Sequence, residues 1–82
     1  MQKLPVVSGD KVIKMLIKLG YSVVRQKGSH VRLTKSSSQG VHDITVPKHP
    51  SVAKGTLNDI LSRVSLWNMV SRDDLVKMLK KM

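Results

Sequence analysis

The sequence predicts a small α+β domain with one helix, a three-stranded antiparallel sheet, a second helix and an extra C-terminal helix. Apolar residues recur at the helical spacing near both ends of the chain, whereas short runs in the middle alternate between apolar and polar residues. The 82 residues suit a single domain over residues 1–82, with a modest core and no room for a large internal cavity. Any chemistry is therefore expected at the surface.

The first helix is predicted in the segment SGDKVIKMLIKLG. Ser8 is the expected N-cap, Asp10 falls in the first turn, and Gly20 is expected to end the helix. The apolar face of this segment carries Val12, Ile13, Leu16 and Ile17. This spacing is typical of an amphipathic helix with one buried face.

The three strands are predicted in YSVVRQK, HVRLTK and VHDITVP, which are residues 21–27, 30–35 and 41–47. Gly28 and Ser29 separate the first two strands, and this pair suits a two-residue type II′ hairpin because glycine accepts a positive φ. The polar run KSSSQG is expected to form a surface loop, and Pro47 is expected to end the third strand.

A two-residue hairpin fixes which residues lie opposite each other in the first two strands. The expected pairs on one face are Lys27 with His30, Arg25 with Arg32, and Val23 with Thr34. The expected pairs on the other face are Val24 with Leu33 and Gln26 with Val31. Two short helices can cover one face of the sheet, and the face with Val24, Val31 and Leu33 is the apolar one. His30 is therefore expected on the open face, among cationic side chains.

Two helices are predicted after the strands. Thr56 is the expected N-cap of the first, with Asp59 at the capping-box spacing. Its apolar face carries Leu57, Ile60, Leu61 and Val64. Ser71 is the expected N-cap of the last helix, at about residues 71–82, which extends a core of about residues 8–64.

The charge of the chain indicates a polyanionic partner. The formal net charge is +10, which makes nucleic acid the first candidate and an acidic protein the second. The chain has no cysteine, and its three histidines and few acidic residues form no recognisable metal motif, so no metal or other cofactor is expected. No signal peptide or membrane span is recognisable, which predicts a cytoplasmic protein.

Two stretches resemble a known family. RQKGSHVRL is similar to the glycine-serine-histidine hairpin of the HicA toxins, and ITVPKHPSVAKGTLNDIL is similar to the family's second block of strand, Pro-x-His-Pro turn and helix. The resemblance covers about residues 8–64. It implies a fold like the double-stranded-RNA-binding domain, metal-independent cleavage of mRNA, a catalytic His30, and inhibition in a complex with a HicB antitoxin. Many relatives carry a second histidine after the first, where this chain has Val31.

Seven further residues are candidates for binding RNA, namely Arg25, Lys27, Ser29, Arg32, His49, Lys54 and Thr56. Lys54 and Thr56 lie near a helix start, where free backbone N–H groups attract phosphate, although capping alone would explain Thr56. His49 lies between two prolines and could bind phosphate or shape the turn. His42 alternates with the apolar residues of its strand, so it is expected to be half-buried and structural.

The expected mechanism is attack of a ribose 2′-hydroxyl on the adjacent phosphodiester, with His30 as general base or acid. Arg25, Lys27 or Arg32 would stabilise charge on the phosphate oxygens. His49 and Lys27 are both candidates for the second proton transfer. Two other functions stay open: a non-catalytic double-stranded-RNA-binding module, in which His30 is incidental, and a basic module that docks an acidic protein.

Overall fold

The computed structural model describes residues 4–82. Its elements are α1 (Gly9–Lys18), β1 (Ser22–Lys27), β2 (His30–Ser37), β3 (Gly40–Pro47), α2 (Lys54–Asn68) and α3 (Arg72–Lys81). The strands form one antiparallel sheet in the order β1-β2-β3. The predicted α+β order of one helix, three strands and two helices is confirmed.

The core lies between one face of the sheet and the helices. α1 and α2 pack against the sheet, and α3 packs against both of these helices. The sheet contributes Val31 and Leu33 from β2 and Ile44 and Val46 from β3. The two helices on the sheet contribute Val12, Met15, Leu16, Leu57, Ile60, Leu61 and Val64. Polar and charged residues of β2 and β3 therefore lie on the opposite, open face.

Local sequence signals explain where α1 begins and which side it buries. The Ser8 hydroxyl accepts a hydrogen bond from the Lys11 N–H at 3.2 Å, which confirms the predicted N-cap. The buried residues of α1 are Gly9, Val12, Met15 and Leu16. The prediction that Ile17 lies on the buried face is wrong, because the buried face is centred on Val12, Met15 and Leu16, and Ile17 lies about 100° further round the helix than Leu16 and is 51% exposed.

The hairpin register is confirmed next to the turn and is wrong beyond a β-bulge. The observed pairs include Lys27 with His30, Arg25 with Arg32, and Gln26 with Val31. The register then shifts between Val23 and Arg25, so Val23 lies opposite Leu33 and Thr34 lies opposite Ser22. Val24, predicted in the core, is 56% exposed. β1 is an edge strand with every residue exposed, so burial does not hold its register against an inserted residue.

α2 begins three residues before the sequence predicts. Its N-cap is Ala53, whose carbonyl accepts the Leu57 N–H at 2.9 Å, and no side chain caps the helix. Thr56 therefore lies in the first turn, and its prediction as N-cap is wrong. The N–H of Val52, the residue before this N-cap, donates to the carbonyl of Val7 at 2.8 Å, so a long-range bond holds the chain just before the helix.

α3 forms where its capping signal predicts. The Ser71 hydroxyl accepts the Asp74 N–H at 3.1 Å, and the first turn is acidic while the last turn is basic, as the helix dipole favours. Its buried residues are Leu75, Val76 and Leu79. No helix within residues 4–82 has the length and apolar character needed to cross a membrane.

Candidate functional site

A surface cavity of about 350 Å³ opens where β2 begins and β3 ends. Its lining residues are His30, Thr45, Pro47, His49, Ala53 and Thr56. His30 is the first residue of β2 and lies opposite Pro47, the last residue of β3. Three separate parts of the chain therefore meet here: the sheet, the loop after β3, and the start of α2.

Backbone hydrogen bonds hold the loop that carries His49. The Lys48 N–H donates to the carbonyl of Ser29 in the hairpin turn at 2.5 Å, and the Gly9 N–H donates to the carbonyl of His49 at 2.9 Å. Gly9 is required for this contact, since a Cβ atom there would lie 2.1 Å from the carbonyl oxygen of Pro47. The loop is thus fixed between the hairpin and the beginning of α1.

One of the three histidines, His42, is held by contacts within the protein. Asn68 Nδ2 donates to the hydroxyl of Tyr21 at 3.0 Å, and that hydroxyl shares a hydrogen bond of 2.5 Å with Nδ1 of His42. The His42 ring also stacks on Trp67, with ring centroids 5.2 Å apart. Burial lowers the pKa of His42, because the charged form loses solvation. His42 is half-buried and structural, as its strand pattern predicts.

The other two histidines are free to act on a ligand. His30 and His49 are both exposed, and among the hydrogen bonds of residues 4–82 none involves either imidazole. Both line the same cavity. These are therefore the two imidazoles that can accept or donate a proton without breaking an internal bond.

The start of α2 presents backbone N–H groups at one side of the cavity. No side chain caps the helix and no acidic residue lies in its first turn, so the first backbone N–H groups lack a capping acceptor. Ala53 and Thr56 of this first turn line the cavity, while Lys54 is exposed beside them. The positive end of the helix dipole and these N–H groups favour a phosphate at this position.

Cationic side chains lie next to the cavity on the open face. Gly28, with φ 58°, forms the turn that brings Lys27 opposite His30. Arg25 and Arg32 form the next pair along the hairpin, and all three cations are exposed. Within residues 4–82, Arg25 and Lys27 take part in no ion pair. They are free to contact the phosphates of a bound nucleic acid.

Arg32 differs because it is paired with a carboxylate. Its guanidinium lies 3.2 Å from Asp43 Oδ2, and the Thr34 hydroxyl and Arg32 together lower the pKa of Asp43. The sequence reasoning missed this ion pair. The register of β2 and β3 could have revealed it, since Asp43 lies opposite Thr34, two residues from Arg32 on the same face. Arg32 is therefore less available to a further anion than Arg25 or Lys27.

The structure brings together His30, His49 and Thr56 at the cavity, with Lys27, Ser29 and Lys54 around it. Thr45 and Ala53 also line it, and sequence reasoning missed both. No group of three metal-ligating side chains occurs among the described residues 4–82. A separate cavity of about 390 Å³, lined by Lys14, Ile17, Lys18 and Met82, holds neither a histidine nor a carboxylate side chain.

Comparison with known proteins decides the family. The family model for the HicA toxin of bacterial toxin-antitoxin systems matches residues 9–66, which include every residue that lines the histidine cavity. The chain belongs to the HicA toxin family. No curated protein and no solved structure matches it. The matched region of this HicA chain ends within α2, so α3 lies outside it.

Val31 directly follows His30 in this HicA chain. The side chain of Val31 is 3% exposed and lies in the core. The register prediction for this position is confirmed. His49, in the loop after β3, lines the cavity together with His30.

Proposed function

We propose that this HicA-family toxin is an endoribonuclease that cleaves mRNA in the cytoplasm, with His30 as a catalytic residue. The observation that carries the proposal is the unbonded imidazole of His30 at the edge of a cavity that has an uncapped helix start on one side and free cations on another. Such a site combines a proton-transfer group with donors for a phosphate.

The chemistry is an in-line displacement at phosphorus. The ribose 2′-oxygen forms a bond to the phosphorus, the bond to the 5′-oxygen of the next nucleotide breaks, and a 2′,3′-cyclic phosphate results. His30 accepts the proton of the 2′-hydroxyl or donates one to the leaving oxygen. The N–H groups at the start of α2 and the ammonium of Lys27 stabilise the charge that develops on the non-bridging oxygens. This reaction needs no metal ion.

Binding of the RNA chain depends mainly on phosphate contacts. Arg25, Lys27 and Lys54 are exposed around the cavity, and the protein carries a net charge of +10. The apolar part of the cavity wall consists of Pro47 and Ala53, and the lining contains no phenylalanine, tyrosine or tryptophan ring on which a base could stack. Little sequence preference is expected from such a surface.

The test compares His30→Ala with a matched variant, Gln39→Ala, which removes an exposed side chain from the opposite end of the β2–β3 hairpin. Labelled RNA is incubated with each purified protein in EDTA, and far-UV circular dichroism checks the fold. His30→Ala should lower the rate by about 10²- to 10⁴-fold, while Gln39→Ala keeps it. An unchanged rate for His30→Ala would refute the assignment. Wild-type protein that binds RNA without cutting it would support a non-catalytic RNA-binding module instead.

We also propose that an acidic HicB-like antitoxin inhibits the toxin by covering the face that holds His30. A nuclease with little sequence preference would damage its host, and the exposed cations attract carboxylates for the same reason that they attract phosphate. Hydrogen exchange on the complex tests this. Protection should appear across residues 23–34, whereas protection confined to α3 would contradict direct occlusion.

A further inference from the structure

RNA cleavage by a 2′-hydroxyl requires two proton transfers on opposite sides of the phosphorus. One group removes the proton of the nucleophile, and another protonates the 5′-oxygen as it leaves. In-line geometry separates these two oxygens, so a single imidazole cannot contact both in one step. The following inference rests on the proposed function and concerns the second group.

The cavity offers a second imidazole on a different part of the chain. His30 comes from the start of β2 and His49 from the loop between β3 and α2, and both line the same space of about 350 Å³. This volume falls in the range of about 300–1,000 Å³ that is usual for ligand sites. Ala53 and Thr56, at the start of α2, complete the wall. A phosphate held at this helix start would therefore have an imidazole available from two separate segments.

The position of His49 is fixed by backbone contacts. Its carbonyl accepts the Gly9 N–H, and the preceding N–H of Lys48 donates to Ser29, the residue directly before His30. The two histidine-bearing segments are thus joined by a hydrogen bond one residue from each imidazole. Lys27, the other candidate for the second proton transfer, lies opposite His30 in the hairpin and does not line the cavity.

We propose that His49 is the second proton-transfer residue and forms a catalytic pair with His30. One imidazole, neutral at the start, takes the proton of the 2′-hydroxyl as the bond from the 2′-oxygen to phosphorus forms. The other imidazole, protonated at the start, gives its proton to the 5′-oxygen as the bond from phosphorus to that oxygen breaks. The products are a 2′,3′-cyclic phosphate and a 5′-hydroxyl, and proton exchange with water restores both imidazoles.

The experiment uses two RNA oligonucleotides that differ at one atom. In the second, sulfur replaces the 5′-bridging oxygen of the scissile phosphate, and a thiolate leaves without needing a proton. Cleavage rates are measured for wild type, His30→Ala, His49→Ala and the neighbouring control Ser51→Ala, which changes an exposed residue of the same loop. Thermal unfolding checks each fold, and His49→Asn replaces His49→Ala if the alanine variant unfolds.

On the natural RNA, the His30 and His49 variants should each be slower by about 10²- to 10⁴-fold. On the sulfur-containing RNA, one of the two should recover to within about tenfold of wild type while the other stays slow, because the two imidazoles divide the two proton transfers. Ser51→Ala should match wild type on both.

Three results would overturn the catalytic pair. The first is a His49 variant that cuts natural RNA at the wild-type rate. The second is a cleavage rate of the His49 variant that falls equally on both RNAs, while the His30 variant does not recover on the sulfur-containing RNA. This result would show that His49 only shapes the loop. The third is a wild-type protein that cuts neither RNA, and this result alone would also refute the proposed ribonuclease function.

Discussion

Gly9→Ala should destabilise the protein and disturb the cavity together, because Gly9 lies where α1 meets the end of β3. A Cβ atom at this position would be 2.1 Å from the carbonyl oxygen of Pro47 and 2.8 Å from the Cα of Lys48. Cβ atoms essentially never approach other atoms more closely than 3.0 Å, and both neighbours are backbone atoms. α1 and residues 47–49 must therefore separate by about 1 Å, since a packed interior cannot absorb the overlap.

The magnitude follows from three contributions. Overpacking of a close contact costs about 1–3 kcal/mol. Weakening the hydrogen bond from the Gly9 N–H to the His49 carbonyl costs up to about 1 kcal/mol. Alanine has less backbone entropy than glycine in the unfolded chain, which stabilises the folded state by at most about 1 kcal/mol and offsets part of this loss. The free energy of unfolding should thus fall by about 1–3 kcal/mol, and Tm should fall by roughly 4–8 °C for each kcal/mol.

The assay is urea and thermal unfolding followed by far-UV circular dichroism, with Trp67 fluorescence as a second probe. Gly55→Ala is the matched control, because Gly55 lies in α2 and no atom is within 4 Å of its added Cβ. That variant should gain up to about 1 kcal/mol. RNA cleavage by folded Gly9→Ala should also fall by about 10²-fold, since a displacement of 1 Å is enough to misalign reacting groups. A Gly9→Ala protein as stable as wild type would refute the reasoning.

Three further predictions concern charge, protonation and capping. Lys27→Ala should weaken binding of all RNA sequences alike and reduce the slope of log Kd against log salt concentration by about one unit or less. The control Lys77→Ala, which changes an exposed residue of α3, should leave this slope unchanged. Weaker binding of one RNA sequence only would indicate base readout instead. Burial lowers the pKa of His42 below its unfolded value of 6.5, so the unfolded chain binds more protons and the free energy of unfolding should decrease as pH falls below 6.5. In His42→Gln this decrease should become smaller, and an identical pH dependence in both proteins would contradict the assignment. Ser71→Ala should lower the free energy of unfolding by about 1 kcal/mol in urea titrations, while Ser38→Ala, in the turn between β2 and β3, should change it little.

Local patterns predicted the order of elements and the face on which His30 lies. Ser8 and Ser71 cap helices as expected, and the register next to Gly28 places His30 opposite Lys27. These features depend on residues close together in the sequence. The two-residue length of the turn and the alternation of β2 were sufficient to assign His30 to the open face.

Features that depend on distant contacts were not predictable in the same way. The bulge near Val24 occurs in an edge strand where no burial constraint sets the register. The bond from Val52 to Val7 just before α2 and the fit of Gly9 against Pro47 both join residues far apart in the chain. The meeting of His30 and His49 depends on the hydrogen bonds from Lys48 to Ser29 and from Gly9 to His49, which also join distant residues, so the sequence left the candidates for the second proton transfer open.

The measurement that tests the central claim most directly is the chemical identity of the cleavage products in EDTA. RNA and a matched RNA with a single 2′-deoxy nucleotide at the cleaved position are incubated with wild-type protein, and the ends are identified by mass spectrometry. Attack by the 2′-hydroxyl predicts a 2′,3′-cyclic phosphate and a 5′-hydroxyl from the first RNA and no cleavage at the deoxy position of the second. A 3′-hydroxyl with a 5′-phosphate, or cleavage at the deoxy position, would contradict the account.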